Sequence, residues 1–517
     1  MRIKDSQLPT QPSAVRRFDW RQLLVWAAIA AAPWAVHAQQ RPRGAPSAVA
    51  AAGSEIDTGW SRFKGPNGTG MGVGKGFPSV MSEATRVWGP TPLPGGHSSP
   101  VFTSRQIFVN AEVDKKPQLI CLDRTTGKQL WARNIQTTRE SPLLPRQNSV
   151  ASGTPVTDGN NVYAFFNDFG LISFDSNGKQ RWATPMGPFT WAWGTGTSPV
   201  LVGKNVILQI DGYTDSYIAA FDRETGKQVW RTDRAPKGQT YSTPVVRRTP
   251  DGILEILAVG PGEMTGYNAA DGKRRWGVPI PMGSYVASLA VAGDVLIATN
   301  QANADMGGGG AAAVKKMDKN GDGRIGPDEL IDNNLSAVIQ VGSLSLGNKD
   351  GYLDAAEGDQ LLREMVATKQ VTAIRLNTQP DGTVKPEQIW TLDRNVPWVP
   401  SPLVYAGLVY ILTETGILTT VDAQTGPTEA TQPRRIEGAL GNYSASPVAA
   451  EGKVYLASED GVVTVLQAGH HGAILSQLDT KELIRATPAL VDGRVFVRTA
   501  QSISAFGERA PVTADRR

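Results

Sequence analysis

LDRTTGKQLW (residues 122–131), FDSNGKQRW (174–182), FDRETGKQVW (221–230) and YNAADGKRRW (267–276) are variants of one phrase. Their tryptophans lie 51, 48 and 46 residues apart. A period of that size marks a stacked or radial array of supersecondary units rather than one irregular domain. Each phrase reads as a hairpin. An apolar strand ends in Asp or Asn, a glycine supplies the positive φ of a tight turn, and a second strand carries the Trp.

Upstream of each phrase a small residue and a proline open a Val-rich run: Ser99-Pro100-Val101, Thr154-Pro155-Val156, Ser198-Pro199-Val200 and Thr243-Pro244-Val245. Proline is tolerated at a strand's first residue, which need not donate to the ladder. A polar turn and another apolar run follow, so each unit offers about four short strands. The pattern returns in weaker form later. Residues 287–299 with 372–376 and 388–390 make a fifth unit, and Ser401-Pro402, Ser446-Pro447 and Thr487-Pro488 open three more. The eighth unit stops at Phe506, one strand short, and Arg86-Val87-Trp88 has the form of the missing strand. The expected fold is all-β: an eight-bladed β-propeller closed by an N-terminal strand, which leaves no open sheet edge. The tryptophans are expected to pack between blades.

The Asp-x-x-Thr-Gly-x-x-x-Trp phrase resembles the tryptophan-docking repeat of PQQ-type propellers. That group holds quinoprotein alcohol dehydrogenases and non-enzymatic relatives such as an outer-membrane assembly lipoprotein. The opening Trp60-Ser61-Arg62-Phe63-Lys64-Gly65-Pro66-Asn67-Gly68, with His97-Ser98-Ser99-Pro100, is similar to the bacterial PQQ-binding-like β-propeller repeat proteins. The resemblance spans residues 58–508 apart from an insertion. It implies a fold more than an activity, because one fold hosts many functions.

Residues 1–38 read as an export signal: Arg16, Arg17 and Arg21 precede an apolar stretch at 23–32, and Val36-His37-Ala38 fits a small-residue cleavage site. General secretion is preferred over a twin-arginine route, since Phe18 and Asp19 suit the latter poorly. The apolar stretch is too short to span a bilayer. Removing this segment takes away a net +3 and leaves the formal +4 near +1, and no Lys/Arg-rich block appears. Nucleic acid is therefore not an expected partner. The single cysteine, Cys121, excludes an internal disulfide and is expected to be buried. The expected division is a signal at 1–38, a flexible linker at 39–55, propeller at 56–300 and 371–508, an insertion at 301–370 and a tail at 509–517.

The insertion carries the sharpest chemical signal. DKNGDGRIGPDEL (318–330) matches the twelve-residue EF-hand loop. Asp318, Asn320 and Asp322 take the first, third and fifth places, and Gly323 stands at the sharp turn. Arg324 would offer its carbonyl and Glu329 a bidentate carboxylate. A second loop at 346–357 repeats the register with Asn348, Asp350, Tyr352 and Glu357, but its first place is Leu346, which has no side-chain oxygen. That loop is expected to be weak or empty, with Leu353 pairing against Ile325 to join the two. The expected cofactor is calcium in a small α-helical EF-hand insertion within blade five.

Segments preceding each first strand should gather at the propeller's funnel. They carry His97, Asn148, Trp191, Trp193, Tyr241, Tyr285, Trp398, Tyr443 and Arg485. Such side chains suit a flat ligand, a quinone, sugar or peptide, or they fill the channel, which is the preferred reading. His97, Trp191, Trp193, Tyr241, Trp398 and Arg485 are the candidates for a cofactor such as PQQ. By resemblance the quinoprotein dehydrogenases use a vicinal Cys–Cys disulfide, which one cysteine excludes, and a calcium held by Glu and Asn beside an Asp base, which match no motif here. His470-His471 reads as a solvated turn. The preferred function is an exported calcium-binding scaffold, periplasmic or secreted and monomeric, taking an unknown protein or small-molecule ligand at the funnel. The alternative is a PQQ-dependent quinoprotein oxidoreductase. A polysaccharide hydrolase or lyase trails, lacking an acid/base pair.

Overall fold

The Val-rich runs become the innermost strands. In blade one, Val101–Phe102, Gln106–Val113, Lys116–Asp123 and Gln129–Asn134 lie side by side in that order, each antiparallel to the next. The computed structural model describes residues 59–137, 148–187, 189, 194–212, 215–234, 238–281, 283, 285–300, 309–329, 348, 350–366 and 369–507. Among them are eight such four-stranded sheets, so the chain is an eight-bladed β-propeller. In blade eight, Ala489–Val491, Arg494–Arg498 and Ser502–Phe506 are completed from the other end of the chain by Arg86–Pro92. Arg86 stands opposite Phe506 and Trp88 opposite Ala505, which is the closure the sequence implied. The proposed signal segment, the linker and the tail lie outside the described residues. No helix among the described residues is long and apolar enough to cross a membrane.

The repeated phrase works as an inter-blade dock. A register shift just before each turn lets Trp131 stand opposite Cys121, Trp182 opposite Ser173 and Trp230 opposite Ala220. Each indole then donates to a backbone carbonyl of the next blade: Trp88 to Arg124, Trp131 to Ser176, Trp182 to Arg223, Trp230 to Ala269 and Trp390 to Ala423. The turn glycine of that next blade lies flat under the ring. A β-carbon on Gly226 would come within 2.5 Å of Trp182 Cε3. The glycine thus serves both the positive φ and the stacking. Trp276 departs from the pattern, bonding Glu255 of its own blade at 2.8 Å. The following hairpin, Gln370–Thr378 to Val384–Leu392, turns through Gln379 to Thr383 instead of the Asp-x-x-x-Gly form. Each buried indole removes about 150–250 Å² from water, an upper estimate of about 4–6 kcal/mol at 25 cal/mol per Å². Cys121 is buried in the core shared by blades one and two, where burial pushes its thiol up to about 12.

A second ring runs closer to the axis. The residue before each of these prolines, and Ser288 before Leu289 in blade five, donates its backbone N–H to the hydroxyl of its counterpart in the next blade. The chain of donors runs Ser99, Thr154, Ser198, Thr243, Ser288, Ser401, Ser446, Thr487 and back to Ser99, every bond between 2.9 and 3.1 Å. These N–H groups are at the buried tips of the sheets, where an unmet donor would cost about 1–3 kcal/mol.

Candidate functional site

One end of the central channel is stoppered by the chain itself. Trp60 and Ser61 accept through their carbonyls from Phe102 of blade one and Thr157 of blade two. Arg62 donates to the Pro244 carbonyl, Lys64 to Pro402 at 2.9 Å, and Asn67 exchanges hydrogen bonds with Val246. Gly70 and Gly72 bond Ala449 of blade seven. The plug therefore touches blades one, two, four, six and seven. Gly65 lies against the Trp60 ring and takes φ +66°. Lys64 is 1% exposed with no carboxylate of the described residues paired to it, and burial drives its ammonium down to about 7.

The other end is the funnel face. Connections between blades and the turns between second and third strands share this face, as the bonds Glu459 N to Asn442 O, Ala500 N to Leu483 O and Tyr443 N to Glu414 O show. His97 and Arg485 meet here, with Arg485 Nη1 3.3 Å from His97 Nε2. Arginine only donates, so Nε2 accepts and the His97 proton sits on Nδ1. Nδ1 lies 3.4 Å from Ser152 Oγ, which donates to Asn148 Oδ1. On the other side Arg485 Nη2 reaches Glu459 Oε2 at 3.4 Å, and Ser444 donates to Glu459 Oε1. A polar arc thus crosses the walls of blades seven, eight, one and two. Burial, then the charges of Arg485 and Arg498, hold His97 down near 3. A neutral His97 accepting from arginine is a positioned wall group and a poor base at neutral pH.

The aromatic candidates divide. Tyr241 donates to Gln239 Oε1 at 2.6 Å and is half-buried. Tyr285 and Tyr443 are buried core, bonding the carbonyls of Pro281 and Ala439. Trp398 and Val399 give their amide N–H groups to the Glu414 carboxylate, which burial raises above the ordinary range. Trp191 and Trp193 lie outside the described residues. Arg498, Glu414 and Glu459 were missed, because they sit at a strand end or in turns far in sequence from the blade connections. Arg498 is 1% exposed, donates to the Ser98 and Asn110 carbonyls, and is pulled down to about 9 by burial. His470 and His471 are exposed in a turn.

The insertion leaves blade five between Val295–Asn300 and Gln370–Thr378. Helix Gly309–Met317 leads into the first loop, and helix Ala355–Val366 leaves the second. Asp318 accepts from the amides of Gly321 and Gly323, Asp322 from Arg324, and Glu329 from Lys319, Asn320 and Gly326. The Gly326 amide, with those of Lys319 and Asn320, holds the Glu329 carboxyl below the ordinary range. Oxygens of Asp318, Asp322 and Glu329 all lie within 4.8 Å of one another. In the second loop Asn348 and Asp354 donate their amides to Glu357, and Tyr352 to Asp350. Arg324–Ile325 pairs antiparallel with Leu353–Asp354, and Ile325 stands opposite Leu353 with both side chains buried. Leu346 lies outside the described residues.

Comparison with known proteins supplies relatives. A family profile described as outer membrane protein assembly factor BamB matches residues 79–212, 115–321 and 353–511. The protein of that name from Kangiella koreensis is 28% identical over 214 residues, 40% of this chain and 51% of its own. The chain thus spans about half the length of that curated relative. Among solved structures, a europium-containing methanol dehydrogenase superposes with a TM-score of 0.54 at 11% identity, over 87% of this chain and 91% of that one. The quinohemoprotein alcohol dehydrogenase of Comamonas testosteroni gives 0.52 at 13%, over 88% and 82%. At such identities the likeness is one of fold alone.

Proposed function

We propose a function from one premise: this chain belongs to the family described as outer membrane protein assembly factor BamB. It is an exported, periplasmic or secreted propeller that works as a binding scaffold, docking a partner at the funnel face and holding calcium in the blade-five insertion. One observation carries the scaffold reading. The funnel's polar groups, from Ser444 through Glu459, Arg485, His97 and Ser152 to Asn148, hydrogen-bond one another as a wall.

That wall fits PQQ poorly. Cys121 is buried away from the funnel, Arg485 faces Glu459 and His97, and the Tyr241 hydroxyl is bound to Gln239. Reconstitution with PQQ and calcium is expected to give neither a bound-quinone absorption band nor dye-linked dehydrogenase activity. Appearance of both would replace the scaffold with an oxidoreductase. A photo-crosslinker at Leu440, 67% exposed between blades six and seven, is expected to trap a partner protein in periplasmic extract. The same group at Val229, exposed on an outer strand of blade three, is the control. Equal trapping at both sites would sink the funnel-face assignment.

The first loop fits a hard cation. It offers three carboxylates, the Asn320 amide oxygen and the Arg324 carbonyl on one tight turn. A dissociation constant on the order of 10⁻⁴–10⁻³ M suffices outside the cytoplasm. At a hundredfold excess over that constant, calcium stabilises the folded insertion by about 2.7 kcal/mol. The D318A/E329A double variant is expected to lose this calcium-dependent thermal shift. An unchanged shift would remove the assignment.

A further inference from the structure

We infer that the insertion is a one-ion device in which the Arg324 side chain is the resident cation of the second loop. The inference rests on the calcium reading of the first loop and concerns how many ions the pair accepts.

The two loops differ in what faces their carboxylates. The first presents Asp318, Asp322 and Glu329 together. The second has acids at its fifth, ninth and twelfth places, Asp350, Asp354 and Glu357, and side-chain nitrogen has reached Asp350. Asn348 Nδ2 donates to Asp350 Oδ2 at 3.0 Å. Arg324 Nη1 lies 3.5 Å from the same oxygen, nearer than its Nη2 comes to Asp322 Oδ2 of the first loop at 4.0 Å, and its guanidinium carbon stands 4.7 Å from the centroid of the Tyr352 ring. The antiparallel bridge explains the delivery. Arg324 stands opposite Asp354 and Ile325 opposite Leu353, so the side chain at the first loop's seventh place reaches across to the second loop. Its backbone carbonyl remains available to the first.

Arg324 and Asp350 are both partly exposed, and ion pairs of that kind contribute about 0–1 kcal/mol to stability. The consequence lies in occupancy. A guanidinium keeps its charge at every physiological pH, and it places a tethered cation beside a carboxylate that a divalent ion needs. Leu346, with no side-chain oxygen, removes a further ligand.

Calorimetric titration of the full chain with calcium tests this. The wild type is expected to take one ion, and E329Q none. L346D, which restores the missing ligand but keeps the arginine, is expected to stay at one. R324Q/L346D, which also removes the tethered cation while keeping the carbonyl, is expected to take two. The first-loop binding heat retained in L346D and R324Q/L346D shows that the insertion still folds in them. Two ions in the wild type, or two in L346D alone, would overturn the role of Arg324. So would a second site still missing from R324Q/L346D when the first-loop heat persists. No calcium heat in the wild type would instead defeat the calcium reading, and this inference with it.

Discussion

Replacing Gly226 by alanine tests the inter-blade dock with a magnitude that follows from the structure. Gly226 holds φ +72°, and a β-carbon there would lie 2.5 Å from Trp182 Cε3 and 2.7 Å from Cδ2. The left-handed backbone alone costs an L-residue about 1–2 kcal/mol. Pushing a methyl group into a buried indole adds about 1–3 kcal/mol of overpacking. The G226A variant is therefore expected to lose about 2–5 kcal/mol in all. Gly203 supplies the control: it holds φ +57° with nothing within 4 Å of its would-be β-carbon, so G203A bears only the backbone cost. Urea unfolding followed by tryptophan fluorescence and circular dichroism measures both. In a W182L background the additional cost of G226A should fall, giving a coupling of about 1–3 kcal/mol in the double-mutant cycle. If G226A costs no more than G203A, or if the cycle shows no coupling, glycine is there for its φ alone and the docking argument fails.

Thr243→Val removes the hydroxyl that accepts from Ser198 N while keeping the side-chain shape, and is expected to cost about 1–3 kcal/mol in thermal unfolding. Thr243→Ser should cost far less, and equal losses would show that the axial ring is incidental. Burial holds Lys64 near 7 against 10.5 in the unfolded chain. The unfolded state therefore binds the extra proton between those values, and stability rises with pH across that window. Relative to Lys64→Met, the wild type should gain several kcal/mol between pH 7 and 9.5, and parallel stability curves would contradict a buried uncompensated ammonium. His97, held near 3, should stay neutral with its proton on Nδ1 down to pH 4.5 in nitrogen NMR spectra. A titration near 6.5 would dissolve the polar arc as described.

The blades were legible because their signals are local. An Asp turn followed by Gly and Trp needs only neighbouring residues to be recognised, and the missing eighth strand announced itself through Trp88. The pairing of Ile325 with Leu353 followed equally from loop register. What stayed hidden depends on which blade sits next to which. The residue before each proline reads in sequence as merely small, yet its hydroxyl is the acceptor for the preceding blade. Ser288 shows the point: it precedes Leu289 rather than proline, and still keeps its place in the ring. Glu459 and Arg485 reach one funnel wall from a strand turn and a blade connection 26 residues apart. Lys64 and Arg62 look like surface charges in an opening loop, and only the closed ring reveals that they sit in its axis. Tyr285 and Tyr443 were grouped with funnel residues by position alone, and their hydroxyls turn back into local carbonyls instead.

The outer strand of blade eight, Arg86–Pro92, is made early in synthesis, and its partner Ser502–Phe506 comes some 400 residues later. During that interval the strand has no sheet to join, and the growing array keeps two unpaired borders that invite association with other chains. Joining the ends costs loop entropy that grows only as the logarithm of the intervening length, so the delay is chiefly one of timing. Of the described strands, the first to be made is the last to be seated. Any nick or truncation between Arg86 and Pro92 reopens the circle at the seam where its two ends were clasped.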